Sequence, residues 1–181
     1  IVGDLAAIDP DNSDTHSYEV VGNSPFEVVD GQLVVKEGAE FNFEDASSVD
    51  VELRITDSSG GDTTKIFTID ITDVNEAPVA QDDADSATEG AGAITVDVLN
   101  NDNDPENQAL TLTSAEVIAG EGNVSIENGQ VVFNPDESHN HLAEGETTEV
   151  VVGYTTTDAG GGSSSAQLTI TVTGSNDAPE L

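Results

Sequence analysis

The chain has 181 residues, with 3 Lys+Arg against 37 Asp+Glu and a formal net charge of −34 at pH 7. This charge excludes nucleic acid as a partner, because phosphate binding needs clustered basic residues, and it disfavours docking on anionic lipid. Cysteine is absent, which excludes a disulfide framework, a thiolate zinc site and a thiol nucleophile. No run approaches the roughly 18 apolar residues of a membrane span, so direct membrane insertion is not expected.

The charge also raises the question of whether the chain folds. A net charge of −34 repels itself in a compact state, and high charge with low hydrophobicity is typical of disorder. Yet 35% of the residues are hydrophobic, and they alternate with polar residues in many segments. A bound cation would reconcile the two observations.

The first part of the chain predicts six strands from its alternation of apolar and polar residues. The clearest is segment 49–55, in which valine, leucine and isoleucine alternate with charged residues. Turns are marked by Asp30-Gly31 and by Ser59-Gly60-Gly61. The predicted strands cover residues 2–8, 16–21, 26–29, 32–36, 49–56 and 64–72.

The second part predicts seven strands by the same alternation, with turns at Asn128-Gly129 and Gly160-Gly161-Gly162. No segment shows a sustained helical period, and many short strands with regular turns are typical of an antiparallel sandwich. The predicted strands cover residues 84–92, 94–100, 110–118, 123–127, 130–134, 149–157 and 166–173.

The two parts repeat one another. Asp73–Pro78 recurs as Gly174–Pro179 at an offset of 101 residues, and Asp9–Asn12 resembles Asp102–Pro105 at an offset of 93. The sequence therefore predicts two tandem domains, residues 1–77 and 78–181.

The predicted fold class is all-β, with two Ig-like Greek-key β-sandwiches arranged end to end. The first domain lacks a counterpart of strand 84–92, which would lie upstream of Ile1. Its absence is expected to leave an unpaired sheet edge, and such an edge invites pairing with another chain.

Acidic side chains are expected to meet at the linker between the two domains. Up-and-down strand alternation puts two loops of the first domain and two of the second at that end. The oxygen-bearing side chains are Glu44, Asp73, Asn75, Glu76, Asp102 and Asp104, with Asp158 close by. Hard oxygen ligands favour Ca²⁺ over soft transition metals. The alternative is that these are solvated loop acids, since aspartate favours turns anyway.

At these residues the chain resembles known families. The first domain resembles a bacterial cadherin repeat, through Asp9-Pro10-Asp11, Phe41-Asn42-Phe43-Glu44, Asp57-Ser58-Ser59-Gly60 and Asp73-Val74-Asn75-Glu76-Ala77-Pro78. The second resembles the VCBS-type, cadherin-like repeats of RTX-type bacterial surface adhesins, through Val98–Asp104, Ala143–Thr147, Thr157–Gly161 and Gly174–Pro179.

The resemblance implies cadherin-like sandwiches with calcium between consecutive domains, stiffening a tandem array that is extracellular, either at a bacterial cell surface or secreted. The implied partners are neighbouring domains of the same chain. It assigns Glu44, Asp73, Asn75 and Glu76 to the junction from one side, and Asp102, Asp104 and Asp158 from the other. Asp9, Asp11 and Asp57 would serve an upstream junction, and Glu89, Asn176 and Asp177 a following one.

Two departures from the family pattern affect the junction. The glutamate that the family has after its first strand is missing from the first domain, because that strand is missing. Asn42 stands where the family has an aspartate, and an amide is a weaker calcium ligand than a carboxylate. The resemblance therefore leaves the number and affinity of the ions open.

Other functions are less well supported. A homophilic adhesive partner remains open, as does a polysaccharide, which would make the chain a binding module of a secreted carbohydrate-active protein. Aromatic residues are only 4%, which argues against sugar stacking and against a glycosidase, and no enzymatic activity is expected. His139 and His141 allow a metal pair, but their polar context favours a solvated loop. Tyr154 is expected in the core.

Overall fold

The structure is a computed structural model that describes residues 1–10 and 14–177. The described residues form β-strands and one short 3₁₀ helix, which confirms the all-β class. Contacts divide the chain into a first unit, Ile1–Val74, and a second unit, Asn75–Leu181. The division precedes Asn75 because this residue and Glu76 hydrogen-bond to residues of the second unit.

The first unit has two antiparallel three-stranded sheets, with strand orders β1-β4-β3 and β2-β5-β6. Its strands are β1 (Gly3–Asp4), β2 (His16–Val20), β3 (Phe26–Val29), β4 (Gln32–Val35), β5 (Ser48–Asp57) and β6 (Asp62–Asp70). Alternation directs one face of each strand inward. The buried core comprises Phe26, Leu33, Val51 and Leu53.

The second unit has a four-stranded sheet, β7-β13-β12-β9, and a three-stranded sheet, β10-β11-β8. Its elements are β7 (Asp83–Thr88), β8 (Ile94–Val96), β9 (Thr111–Ala119), β10 (Asn123–Glu127), β11 (Gln130–Asn134), the 3₁₀ helix (Glu137–His139), β12 (Thr147–Thr157) and β13 (Ser163–Thr173). The core is larger than that of the first unit and includes Phe133, Tyr154, Leu168 and Ile170. The expected burial of Tyr154 is confirmed.

A parallel strand pair distinguishes the second unit from the first. β7 runs parallel to β13, with Asp83 opposite Leu168 and Thr88 opposite Thr173. The counterpart of β13 at the offset of 101 residues is β6, which pairs with β5 alone among the described strands. The predicted lack of a first strand in the first domain stays a prediction.

The histidine pair does not behave as the sequence suggested. His139 is only 2% exposed, and its Nδ1 contacts the carbonyl of Pro135 at the start of the 3₁₀ turn. His141 is exposed, with its Nδ1 2.9 Å from the carbonyl of Ser138. The prediction of a solvated loop is therefore wrong for His139, because the short helix turns its ring inward.

No helix in the described part of the chain has the length and apolarity to span a membrane.

The small core of the first unit predicts that it unfolds before the second. Burial of apolar area is the main source of stability, and β6 leaves Ile66 61% exposed. All three Lys+Arg residues, Lys36, Arg54 and Lys65, lie in this unit. Trypsin added during a thermal ramp without calcium should therefore cleave these sites first and leave a fragment from Ile66 onward, seen by mass spectrometry. Loss of that fragment at the same temperature as the first cleavage would contradict the prediction.

Candidate metal centre

The loop between β8 and β9 carries three carboxylates at alternate positions, Asp102, Asp104 and Glu106. Asp104 is the most buried of them, at 3% exposure. Its Oδ1 accepts a hydrogen bond of 2.8 Å from the amide of Gln108, which closes the loop on itself. Asp102 and Asp104 both line one cavity beside this loop.

Each of these three carboxylates has one oxygen held by the protein and one without a partner. Oδ1 of Asp102 accepts from the amide of Gln81 at 2.9 Å, whereas its Oδ2 is buried without a hydrogen bond. Oδ2 of Asp104 and Oε2 of Glu106 are also buried and accept no hydrogen bond in the described structure. Buried unpaired polar atoms are costly and rare in folded proteins, so three in one loop call for a ligand.

Glu106 was not predicted as a site residue. Its Oε1 accepts a hydrogen bond of 3.1 Å from the amide of Glu76 in the linker. The side chain of Glu76 is the main cause that lowers the pKa of Glu106, and a contact with Asp104 lowers it further. The spacing of oxygen-bearing residues at 102, 104 and 106 was the available signal, since calcium loops use alternate positions in this way.

Asp158 begins the turn between β12 and β13. It is 7% exposed; its Oδ1 accepts from the amide of Gly162 at 2.9 Å and its Oδ2 from Nδ2 of Asn75 at 3.1 Å. Burial raises the pKa of this carboxyl, but hydrogen bonds from Asn75 and the glycine amides outweigh that effect, and the net pKa is lowered. Asp158 is therefore ionised at neutral pH and fixes the linker.

The glycines of this turn are required by the close approach of the linker. A Cβ on Gly160 would collide with the side chain of Asn75. A Cβ on Gly162 would lie 2.8 Å from the Cα of Ala77 and 2.5 Å from Oδ2 of Asp158. The linker therefore packs so closely on this turn that a side chain at Gly160 or Gly162 would collide with its neighbours.

Asn75 joins the loop and the turn. Its side-chain oxygen accepts from Nε2 of Gln108, while its Nδ2 donates to Asp158. The structure therefore brings Asn75, Glu76, Asp104 and Asp158 to one end of the second unit, together with Asp102. Both polar atoms of the Asn75 amide are engaged, so it acts as a brace for the loop in this structure.

Two predicted ligands belong to the first unit. Glu44 follows β4 in the loop before β5 and is exposed, with its amide donating to Oδ1 of Asn42 at 3.0 Å. Asp73 follows β6 and is exposed as well. Their part in the site stays a prediction.

The first unit has a similar glycine turn between β5 and β6. Oδ1 of Asp57 accepts from the amide of Gly61 at 2.9 Å, the same bond that Asp158 makes with Gly162. Carboxylate oxygens of Asp9, Asp14 and Asp57 lie within 4.8 Å of one another. Asp14 was not predicted as a site residue. Its Oδ1 accepts a hydrogen bond of 2.9 Å from the hydroxyl of Ser58. The predicted Asp11 lies outside the described residues.

The other end of the second unit contains Glu89, which is 3% exposed. Its Oε2 accepts from the amide of Ser175 at 3.3 Å, and its Oε1 is buried without a partner in the described structure. Asn176 and Asp177 follow Ser175 and are exposed. The sequence assigned these three residues to a following junction.

The bacterial cadherin-like domain family matches residues 75–174, more than half of the chain, and the chain therefore belongs to this family. The match falls on the second unit, for which the motifs suggested a VCBS-type repeat. That finer assignment stays a prediction. Cadherin-like domains are typically non-enzymatic extracellular modules of the adhesion type. A comparison with curated proteins finds no matching sequence.

Solved cadherin structures share the fold. Human protocadherin-24 EC1-2 is 16% identical, with a TM-score of 0.63 over 96% of this chain and 88% of that chain. Human CDH23 EC21-23 is 19% identical, with a TM-score of 0.59 over 94% of this chain and 66% of that one. Protocadherin γB7 EC3-6, described as a cis-dimer structure, is 17% identical, with a TM-score of 0.54 over 87% of this chain. The chain spans 40% of that protein and 27% of the protocadherin γB4 chain.

Proposed function

We propose that the chain is a calcium-binding repeat pair of a bacterial surface adhesin, in which calcium at the linker rigidifies a tandem array for cell adhesion. The observation that carries this proposal is the set of three buried carboxylate oxygens without a hydrogen-bond partner, on Asp102, Asp104 and Glu106. One divalent ion, or more than one, would supply the missing partners. Each carboxylate already has its other oxygen or its loop fixed by backbone amides, so little ordering would be needed on binding.

The chemistry of the site supports calcium. Its donors are carboxylate, amide and carbonyl oxygens, the set that suits a hard cation taking roughly six to eight oxygen ligands. The second unit contains no lysine or arginine, because Lys36, Arg54 and Lys65 all precede Asn75. Its own side chains therefore offer no strong cation, and an external one would relieve the repulsion.

The predicted ligands Glu44 and Asp73 of the first unit would complete the coordination and couple the two units. Without calcium, the carboxylates of the linker would repel one another, and the units would move freely about residues 73–78. Glu89, with its unpaired oxygen, would begin the next junction in the same way. The protocadherin γB7 structure, described as a cis-dimer, is a precedent for dimer formation by a protein of this fold.

Calcium is expected to raise the melting temperature of the second unit. At free calcium 100-fold above Kd, binding stabilises the folded state by about 2.7 kcal/mol per ion. For a domain of roughly 100 residues this corresponds to a shift of about 10–20 °C. Calorimetric titration and thermal unfolding check this, with magnesium as the control ion, since it prefers smaller octahedral sites. Identical unfolding in calcium and in EDTA would overturn the proposal.

The proposed stiffening of the tandem array by calcium can be measured separately from calcium binding. Small-angle scattering of the whole chain should show a narrower distribution of shapes in calcium than in chelator. Calcium binding without any change in scattering would leave the ion site intact but contradict its mechanical role.

A further inference from the structure

Tyr154 reaches from the core of the second unit to the candidate metal loop. It lies on β12, an inner strand of the four-stranded sheet, and its ring is 1% exposed. Its hydroxyl oxygen is 2.7 Å from the carbonyl of Gln81 and 3.2 Å from that of Val98. It is also 3.1 Å from Oδ2 of Asp83 and 3.1 Å from Oδ1 of Asp102.

This hydroxyl is surrounded by more acceptors than it can satisfy. A phenol has one hydrogen and therefore donates to one of the four oxygens at a time. One donor therefore compensates the charges of Asp83 and Asp102 only in part, and a cation beside Asp102 would offset the remainder.

The two carboxylate oxygens of Asp102 differ in their contacts. Oδ1 receives the amide of Gln81 and faces the hydroxyl of Tyr154, whereas the buried Oδ2 has no partner among the described residues. We propose that Tyr154 is a positioning residue for calcium: its hydroxyl anchors Oδ1 of Asp102 to the sheet, so that Oδ2 points to the ion. This inference rests on the proposed function.

The first unit has no hydroxyl at the position equivalent to Tyr154. At the offset of 101 residues, the counterpart of Tyr154 is Leu53, which is also 1% exposed and fills the core without a polar atom. The counterpart of Asp102, Asp9, has His16 at 3.4 Å instead. An apolar side chain can therefore fill this core position in the first unit. In the second unit, the hydroxyl of Tyr154 adds a contact with Asp102 in the loop.

The variant Tyr154→Phe keeps the ring and removes the hydroxyl. Loss of a partner that orients a metal ligand typically weakens metal binding about 10–100-fold, and we expect this loss in calorimetric titration with calcium. The melting temperature in EDTA should stay close to that of the parent, which separates positioning from a purely structural role. Tyr18→Phe, at the other tyrosine of the chain, is the matched control and should bind calcium normally.

A second measurement does not depend on the folding of Tyr154→Phe. The chain has two tyrosines and no tryptophan, so Tyr154 is the sole source of tyrosine emission in the Tyr18→Phe protein. A carboxylate bonded to a phenol quenches its emission by accepting the excited-state proton. Calcium on Asp102 withdraws charge from that carboxylate, so emission should rise with occupancy of the site.

The outcomes distinguish this inference from the function on which it rests. Weaker binding by Tyr154→Phe together with rising emission supports the anchor. If the parent binds calcium but Tyr154→Phe binds it equally well, or emission stays constant at saturation, the positioning role is overturned and the calcium site stands. A parent that binds no calcium overturns the proposed function and the anchor with it.

Discussion

Asp104→Asn is expected to abolish most of the calcium-dependent stabilisation of the second unit. The substitution keeps an Oδ1 acceptor for the amide of Gln108 but replaces the buried, unpaired Oδ2 by an amide nitrogen. A loss of about 100-fold in affinity would leave about 0.4 of the roughly 2.7 kcal/mol gained per ion. Thermal unfolding in calcium and in EDTA measures the difference directly.

The melting temperature of the variant relative to the parent should depend on whether calcium is present. In EDTA the variant should melt no lower than the parent, because removing a buried charge relieves repulsion among Asp102, Asp104 and Glu106. In calcium it should melt well below the parent. The control is Asp97→Asn, an exposed aspartate just before the same loop, which should behave as the parent does. A variant that keeps the full calcium shift would show that Asp104 is not a ligand.

Strand alternation was sufficient to predict the sandwich because its signal is local. Every second residue is buried from Val150 to Thr156 in β12 and from Leu168 to Val172 in β13, so the period of two appears directly in the sequence. Alternation could not predict the parallel pairing of β7 with β13, because this pairing joins segments about 85 residues apart and depends on the topology of the sheet. The same holds for His139, whose burial depends on a single 3₁₀ turn that has no periodic pattern.

Spacing in the sequence was enough to predict that two of the proposed ligands lie in one loop, while their binding of an ion stays a prediction. Asp102 and Asp104 were expected in a loop next to the linker, and they line one cavity there. Glu106 was missed although the alternate spacing of residues 102, 104 and 106 was visible in the sequence, whereas its contact with the amide of Glu76 was not. For the same reason, sequence alone could assign Tyr154 to the core but could not show that its hydroxyl meets Asp102.

Phe133→Ala should make the folding of the second unit depend on calcium. Phe133 is fully buried between the two sheets, and removing such a ring typically costs about 3–5 kcal/mol. Domain stabilities are commonly about 5–15 kcal/mol, and a calcium-free domain at the lower end of that range would be left with little stability or none. Calcium would restore about 2.7 kcal/mol per ion. Circular dichroism melts in EDTA and in calcium should therefore differ more in folded fraction than those of the parent.

The same variant tests the link between folding and the ion in the reverse direction. If only a fraction of the chain is folded, the apparent calcium affinity falls in proportion to that fraction, although every ligand is present. Ile118→Ala, at a side chain that is 51% exposed on β9, is the control and should change neither property appreciably. Phe133→Ala protein that is destabilised in EDTA yet gains nothing from calcium would mean that the carboxylate loop binds no ion in the folded state, because linkage requires a ligand of the folded state to stabilise it.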